Sequence, residues 1–567
     1  MIIGIDLGTT NSAVAVWRDG KATLVPNGLG DVLTPSAVSV DANDTIHVGL
    51  AARDRQATHP ASTAVTFKRM MGAQRQTRLN DRPFDAEQLS ALVIANLKAD
   101  AEHLLNEPVT EAVITVPAYF NDRQRKATQR AGELAGVKVR RLLNEPTAAA
   151  LAYGLQDRGE KEPFLVFDLG GGTFDVSIVE IFDGIIEVRA SAGDNRLGGE
   201  DFNDVIIALA KPQLDATRLR AIDSLRWQEL LREAAERTRR TLSETDRALF
   251  TITHGEVQMS AEILAYAFEE AAEPLLARLR EPVLRSLRDS NTRVEDLSEI
   301  VLVGGSTRMP VVRRAVTKMF GRFPSMTVNP DEAVALGAGV QAGLLMRDAA
   351  LDEIRLSDVC PFTLGVEVAE PDGRGGLRGG IFSPIIERNT PIPASRVHRY
   401  STLCDNQQTI HLNIFQGEAR LVNGNVKLGS LPMTVPAKPA GHISVDCRFT
   451  YDTSGLLEVD AEVVGTGLKQ TVVIVDDDYA PDEAERSARR AALAALKIHP
   501  REQSENAALL ARATRCYESF IGERREMIGG WIGSFESALD KQDPRAISQL
   551  VKDLSAALDQ LEGERYL

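Results

Sequence analysis

Residues 2–24 and 164–190 carry one pattern twice, and that repeat limits the possible folds more than any other feature of the chain. In the first copy "IIGID" is an apolar run ending in Asp6. Gly8, Thr9 and Thr10 follow, then the alternating segment "SAVAVW", the pair Asp19-Gly20 and the short run "KATLV". In the second copy "FLVFD" ends in Asp168, and Gly170, Gly171, Gly172 and Thr173 follow. "FDVSIVEI" then alternates, Asp183-Gly184 makes the turn, and "IIEVRA" closes the unit. Period-two alternation marks strands, and Asp-Gly between such runs marks a two-residue hairpin. The two acids stand about 160 residues apart, so one supersecondary unit is expected twice.

Two like halves facing each other bring Asp6 and Asp168 to one cleft. Each acid stands beside a turn of small residues. Such a turn lets backbone N–H groups approach a phosphate closely and adds hydroxyl donors. The carboxylates cannot serve phosphates directly, because like charges repel. They make sense with a Mg²⁺ between them and a polyphosphate, held largely through its waters. Taken singly, either Asp also reads as a turn-capping residue. The chain holds no G-x-x-x-x-G-K-[ST], which excludes a P-loop, and the triple glycine lacks the spacing of a dinucleotide fingerprint.

Further segments suit the same cleft. "IVLVGGSTRMP" (300–310) is an apolar strand ending at Gly304 and Gly305, then Ser306 and Arg308. A strand-to-glycine turn approached by arginine suits a sugar and base, with the guanidinium stacked on the ring. "ERTRRTLS" (236–243) places Arg239, Arg240 and Ser243 on an expected helix, where Arg239 and Ser243 share a face; a solvated basic helix is the plainer reading. "LLNEPTAAALAYG" (142–154) breaks at Pro146 and then runs helical, with Glu145 just before the helix. Lys68, in "TFKRMMG", reads by spacing as a surface charge.

Net charge is −15 with pI near 5.2, which argues against wholesale nucleic-acid binding. No apolar run reaches the roughly 18 residues of a spanning helix, so no membrane partner is expected. The first strand is read from Ile2, which leaves no room for a signal peptide. Cys360, Cys404, Cys447 and Cys516 lie far apart with no C-x-x-C. Structural thiols and a cytoplasmic location are the expectation.

"GIDLGTTNS", "VPAYFND", "NEPTAAALAYG", "FDLGGGTFDVS", "LGGEDF" and "VLVGGSTRMP", in that order, resemble the seventy-kilodalton heat-shock chaperones, the DnaK family. The resemblance covers residues 1 to about 475 well and the tail poorly, and the shortened form is closer to the HscC branch than to DnaK. It implies a multidomain α/β plus β chain. An actin-like two-lobed ATPase domain would occupy 1–350, a linker 351–359, a β-sandwich peptide-binding domain 360–478 and a shortened helical lid 479–567. The implied cofactors are ATP or ADP, Mg²⁺ and K⁺. Asp6 and Asp168 would organise Mg²⁺, and Gly8, Thr9, Thr10, Gly170, Gly171, Gly172 and Thr173 would meet the phosphates. Lys68 would hold the attacking water, supported by Glu145 and Asp175. Glu236, Arg239, Arg240, Ser243, Gly304, Gly305, Ser306, Arg308 and Asp331 would frame ribose and adenine. Phosphoryl transfer to water needs positioning and charge neutralisation more than covalent chemistry, which such a set supplies.

Past residue 352 the texture changes to short alternating strands: "FTLGVEV", "TIHLNIF", "ISVDCRFTYD", "LLEVDAEVV" and "QTVVIV", with turns at Asn423-Gly424 and Ser454-Gly455. Two stacked sheets are the default. From about 481 the pattern turns helical in "DEAERSARRAALAALK", with Gly529-Gly530 and Asp543-Pro544 as punctuation. The resemblance makes the sandwich a clamp for extended apolar client peptides, held by main-chain hydrogen bonds. Val366, Tyr400, Ile410 and Leu412 would line its pocket and Leu403 one side of an arch; pattern alone makes all of them sandwich core. The facing loop "AEPDGRGGLRGGIF" (369–382) departs from the family, which unsettles Ala369 as the other half of the arch.

In "EIRLSDV" (353–359) Ile354 and Leu356 alternate and suit an edge strand on the ATPase lobe. This segment is less apolar than the family linker, so weak coupling is expected. Pro117, Arg125, Arg141 and Asp358 match positions the family uses for coupling and for a J-domain partner. The stretch from "GGEDF" to "VLVGG" is shorter than in DnaK relatives, so dependence on a GrpE-type exchange factor is not expected. The chain is expected to be a monomer. The competing readings are a small-molecule kinase or a filament-forming ATPase on the same fold; neither explains a separate β-sandwich.

Overall fold

The computed structural model describes residues 1–56, 58–156, 161–182, 185–215, 224–254, 257–325, 329–347, 351, 355–371, 376–452, 455–474, 501, 504–542 and 544–563. They form two compact units, one built on Met1–Phe362 and one on Thr363–Asp452 with Leu456–Leu567.

In the first unit the repeated motif builds two sheets of one plan. Ile2–Asp6 pairs antiparallel with Asn11–Arg18 and parallel with Glu111–Val116. Lys21–Leu24 and Lys138–Asn144 extend the sheet on either side. In the second sheet Lys161–Leu169 pairs antiparallel with Phe174–Phe182 and parallel with Ile300–Val303, and Ile185–Asp194 follows Phe174–Phe182. Asp19 and Gly20 have φ of +53° and +72°, the left-handed pair a type I′ hairpin requires. Asp183 and Gly184 lie outside the described residues.

Two helices, Glu145–Gln156 and Ala333–Leu345, pack on each other and join the two sheets through one apolar cluster that includes Val113, Ala149, Leu151, Val166, Val301 and Ala338. Their runs of Ala and Gly let the backbones sit close to the strands. Helices Ala86–Leu105 and Asp122–Leu134 cover the first sheet, and Gly199–Ala210 and Ala265–Asp289 cover the second. Phe167, Phe174 and Phe202 are fully buried there, each stabilising the unit by roughly 1.5–3 kcal/mol.

Arg355–Val359 adds to the second sheet as a parallel strand, with Ile186 opposite Leu356. Leu356 packs against the central cluster. Ile354 lies outside the described residues.

The second unit holds two four-stranded sheets. In one, Leu364–Pro371 pairs with Leu377–Ile386 and Thr409–Gln416, which pairs with Val426–Thr434. In the other, Ser444–Tyr451 lies between Ala394–Ser401 and Leu457–Val463, with Lys469–Ile474 outermost. Leu377–Ile386, Ala394–Ser401 and Val426–Thr434 escape a reading by alternation, because glycine, proline and charged residues break their pattern. Asn423-Gly424 sits in a short 3-10 turn, Val422–Gly424, in the connection between Thr409–Gln416 and Val426–Thr434. Gly455 (φ +87°) follows Ser444–Tyr451, and Ser454 lies outside the described residues.

Helices Ser504–Ser519, Glu523–Lys541 and Pro544–Gly563 close around Ala513, Ile528, Phe535, Leu539, Leu554 and Leu558. Gly529-Gly530 does not interrupt them: it lies inside Glu523–Lys541. A Cβ on Gly529 would come 3.2 Å from the Tyr517 ring, so the small residue serves helix packing rather than a turn. Pro544 opens the last helix, where a missing N–H costs nothing; Asp543 and the segment "DEAERSARRAALAALK" lie outside the described residues. No described helix is long and apolar enough to cross a membrane.

Candidate functional site

Each acid of the repeat ends where its strand meets a turn. Asp6 closes Ile2–Asp6 and accepts a hydrogen bond from Thr115 Oγ1 at 2.9 Å. Asp168 lies one residue before the end of Lys161–Leu169, opposite Asp175 and Val303. Both line one cavity of about 630 Å³, together with Gly8, Thr9, Thr10, Lys68, Glu145, Gly170, Gly171 and Thr173. Glu236, Arg239, Arg240, Ser243, Gly304, Gly305, Ser306, Arg308 and Asp331 line the same cavity. Gly172 and Asp175 are not on its wall; Asp175 is buried behind it.

The two small-residue turns touch. A Cβ on Gly171 would lie 2.0 Å from Thr10 Oγ1, and one on Gly172 would lie 2.7 Å from Thr9 Cγ2. No larger residue fits without driving the turns apart. Gly304 is held at φ +82°, and a Cβ there would strike Leu169 O at 2.4 Å and Asp168 Oδ1 at 2.7 Å. Ser306 Oγ donates to Gly170 O at 2.8 Å, which ties the third glycine turn to the second.

Lys68 is no surface charge. It is 3% exposed, its Nζ donates to Glu145 Oε1 at 2.7 Å, and it lies 5.6 Å from the centre of the Phe120 ring. It is delivered by the short turn Phe67–Met70, which follows Thr66 in the left-handed region. Glu145 is the first residue of its helix rather than the residue before it, with Pro146 in the first turn.

The electrostatics are dominated by crowded carboxylates. Burial, then the charge of Glu145, pushes Asp6 up to about 7, against the pull of Lys68 and Thr115. Burial and Glu145 push Asp175 up to about 8, although Tyr119 N donates to its Oδ1 at 3.2 Å. Asp168 is raised well above the usual carboxylate range by burial, then by Glu145, Asp175 and Asp6. Its Oδ2 is buried with no hydrogen-bond partner. Such a group is costly unless a cation or a proton meets it, and the charge of Lys68 only partly offsets the crowded acids. Among the described residues no three His, Cys, Asp or Glu side chains converge tightly enough to ligate a metal directly. A divalent ion held mainly through its waters fits this donor set.

Beyond the acids the arginines part ways. Arg239 is held by Asn203, its Nε donating to Asn203 Oδ1 at 2.8 Å, and burial holds its pKa below the usual guanidinium value. Arg240 is exposed and pairs with Glu236, which also takes a two-pronged contact from Arg53 at 2.9 and 3.0 Å. Ser243 is not on the helix, which ends at Thr241; its hydroxyl donates back to Arg239 O at 3.1 Å, capping a free carbonyl. Arg308 is fixed edge-on by Asp331 and Asn329, both at 2.7 Å.

Reasoning from the sequence misses Thr115, Arg69, Asn203 and Arg53. Arg69 pairs with Asp201 at 2.6 Å, and its Nε lies 2.8 Å from where a Gly172 Cβ would stand. A threonine inside the apolar run "AVITV" is the one signal that was available, for Thr115. The others become neighbours only through folding.

Of the residues expected to couple, Arg125 and Asp358 are joined through Asn144 in this unit. Arg125 Nη2 donates to Asn144 Oδ1 at 2.6 Å and to Ala118 O at 3.0 Å. Asn144 Nδ2 donates to both Asp358 oxygens, at 3.1 and 3.0 Å. Arg141 lies near Asp358, whose charge offsets part of its burial. Pro117 follows the Glu111–Val116 strand, and its carbonyl accepts from Phe120 N at 3.1 Å.

In the second unit Val366 and Leu412 are buried, Ile410 and Tyr400 are half-buried, and Leu403 is 46% exposed. Val366, Ile410 and Leu412 share the inner face of their sheet, by the register Val366–Ile414. Ala369 sits where the register shifts between Val368 and Glu370.

Against models of known families, the chain matches the one described as Hsp70 protein over residues 2–79 and 73–566. Those segments span both compact units and almost the whole sequence, so this chain belongs to the Hsp70 family, whose members are ATP-dependent chaperones that generally bind unfolded clients and J-domain co-chaperones.

Proposed function

We propose that this chain hydrolyses ATP to ADP and phosphate in the first unit and uses that step to set how tightly the second unit holds an extended apolar segment of a client. The observation that carries this reading is the meeting of Asp6 and Asp168 on one cavity wall, between touching small-residue turns and beside the Lys68–Glu145 pair. Asp6 and Asp168 would hold a hydrated Mg²⁺, for which the unpartnered Asp168 Oδ2 is suited, and such an ion would supply neutralisation of phosphate charge. The backbone of Gly8, Gly170 and Gly171, with the hydroxyls of Thr9, Thr10 and Thr173, receives the phosphates, while Gly172, expected by sequence among them, packs against Thr9 instead. Lys68 orients the attacking water, supported by Glu145 and Asp175. Glu236, Arg239, Arg240, Ser243, Gly304, Gly305, Ser306, Arg308 and Asp331 receive ribose and adenine, and K⁺ would lie nearby.

The second unit takes the client between its two sheets, with Val366, Tyr400, Ile410 and Leu412 at the pocket and Leu403 above it. Pro117, Arg125, Arg141, Leu356 and Asp358 carry the nucleotide state onward and meet a J-domain partner; Ile354 belongs to this set by sequence only. The reading extends to the HscC branch, a cytoplasmic monomer, and nucleotide exchange without a GrpE-type factor.

The test measures ATP turnover by the whole chain with and without an unfolded peptide, and peptide affinity with ATP and with ADP. Turnover that needs Mg²⁺ and rises with peptide, with weaker peptide binding in ATP, supports the reading. Turnover of ATP onto a small molecule rather than water, or peptide affinity indifferent to nucleotide, overturns it.

A further inference from the structure

We propose that Tyr400 and Ser383 give the client pocket a hydroxyl floor, so that this chain accepts threonine or serine at the pocket position about as readily as valine. The proposal rests on the peptide-binding reading above and specifies which segments the pocket takes.

The inner faces of the two sheets are mostly apolar. On the first, Val366, Leu412, Ile414 and Met433 are buried; on the second, Val445, Cys447, Phe449 and Val459 are. Ser383 stands directly opposite Val366, and Tyr400 directly opposite Val445. Directly paired residues of antiparallel strands share a face, so both hydroxyl side chains belong to the inner faces. They meet there: Tyr400 Oη and Ser383 Oγ are 3.0 Å apart, from strands in different sheets. His398 lies against the Tyr400 ring, with centroids 4.7 Å apart, which narrows the positions open to the phenol. Burial raises the Tyr400 pKa, so the hydroxyl keeps its proton at any working pH and remains a donor.

Two hydroxyls bring two donors and several acceptor lone pairs. Their mutual bond uses one donor and one lone pair. One donor and the remaining lone pairs stay open toward whatever side chain enters. An alkyl group leaves them unmet, whereas a client hydroxyl can both give and receive. Polar groups buried without partners cost about 1–3 kcal/mol, so this floor removes the penalty a purely apolar pocket imposes on threonine. Val and Thr share a shape and differ by a methyl for a hydroxyl, which makes them the proper probe pair.

The experiment uses the full chain with ADP and two labelled peptides that differ only by Val or Thr at their single branched central residue, read by fluorescence anisotropy. For the unaltered chain the two dissociation constants are expected within about threefold of each other. In Tyr400→Phe the Thr-to-Val ratio of dissociation constants, read on the same variant so that any general loss of binding cancels, is expected to rise about tenfold. Ser383→Ala, which keeps the ring in place, is expected to act in the same direction and serves if Tyr400→Phe fails to fold. A Thr-to-Val ratio that neither substitution moves, or equal loss of both peptides, overturns the hydroxyl floor alone. Failure of the unaltered chain to bind either peptide overturns the peptide-binding reading, and the floor with it.

Discussion

Asn144 joins two distant parts of the first unit: its Nδ2 lies 3.1 and 3.0 Å from the oxygens of Asp358, while the next residue, Glu145, accepts from Lys68 at 2.7 Å. Thr147 Oγ1 also donates to Asp358, at 3.3 Å. One side of this arrangement opens on the proposed catalytic lysine. The other holds the strand Arg355–Val359, which leads out of the unit.

Asn144→Ala should therefore have two separable effects. Leaving the Asp358 carboxylate buried (5% exposed) with a donor fewer should cost about 1–3 kcal/mol in the first unit, read by urea unfolding. It should also shrink the difference between peptide affinities measured in ATP and in ADP, with nucleotide affinity held within a few-fold. A full ATP effect in a destabilised variant would reduce Asn144 to a structural role.

Lys68→Ala tests catalysis against charge balance. Removing one positioned stabilising group typically costs about 10²–10³ in turnover, and breaking one side of a buried pair costs about 3–5 kcal/mol. The double variant Lys68→Ala/Glu145→Gln removes the orphaned charge as well. It should recover much of the lost stability, read by urea unfolding, and none of the turnover, read by phosphate release. If turnover returned with stability, the lysine would matter only to the fold.

The strands that carry Asp6 and Asp168 were legible in the sequence, because a strand-acid-glycine-strand pattern is local and occurs twice. Their shared cavity was an inference from symmetry, and the register of the two sheets gives it physical form. Lys68 was illegible by spacing, since its burial depends on Phe120 and Glu145, residues far along the chain. Ser243 was misjudged because period alone extends a helix past Thr241, where its own hydroxyl caps the end. Gly529-Gly530 misled in the opposite sense: glycine signals a break unless a neighbouring ring, here Tyr517, needs the room. In the second unit, Ala394–Ser401 and Leu377–Ile386 hid because charged or glycine-rich strands lack the alternation that marks a half-buried sheet.

Gly171→Ala examines the cradle itself. Its Cβ would stand 2.0 Å from Thr10 Oγ1, so the two small-residue turns must separate. Nucleotide affinity should fall at least about tenfold, measured by calorimetry, since phosphate cradles depend on close backbone approach. Combining it with Thr10→Ala removes the struck atom and should restore part of that loss. No restoration would mean that strain at Gly171 itself, rather than contact between the turns, governs binding.

The crowded acids make the nucleotide-free chain sensitive to alkaline conditions. Unfolded aspartates titrate near 3.9, whereas Asp6 is held up at about 7 and Asp175 at about 8, chiefly by burial. Between those limits the folded chain binds protons that the unfolded chain has released. Stability therefore falls as pH rises through this window. In EDTA, the thermal transition of the first unit, identified as the one that Mg²⁺ and ATP shift upward, should drop by roughly 5 °C or more between pH 5 and pH 8.5. Asp175→Asn removes one of the raised groups and should flatten the slope at the alkaline end. Added Mg²⁺ with ATP should flatten it further, by supplying the positive charge the acids lack. A transition that rises with pH over the same range would show that Lys68 and the surrounding dipoles already keep these carboxylates ionised.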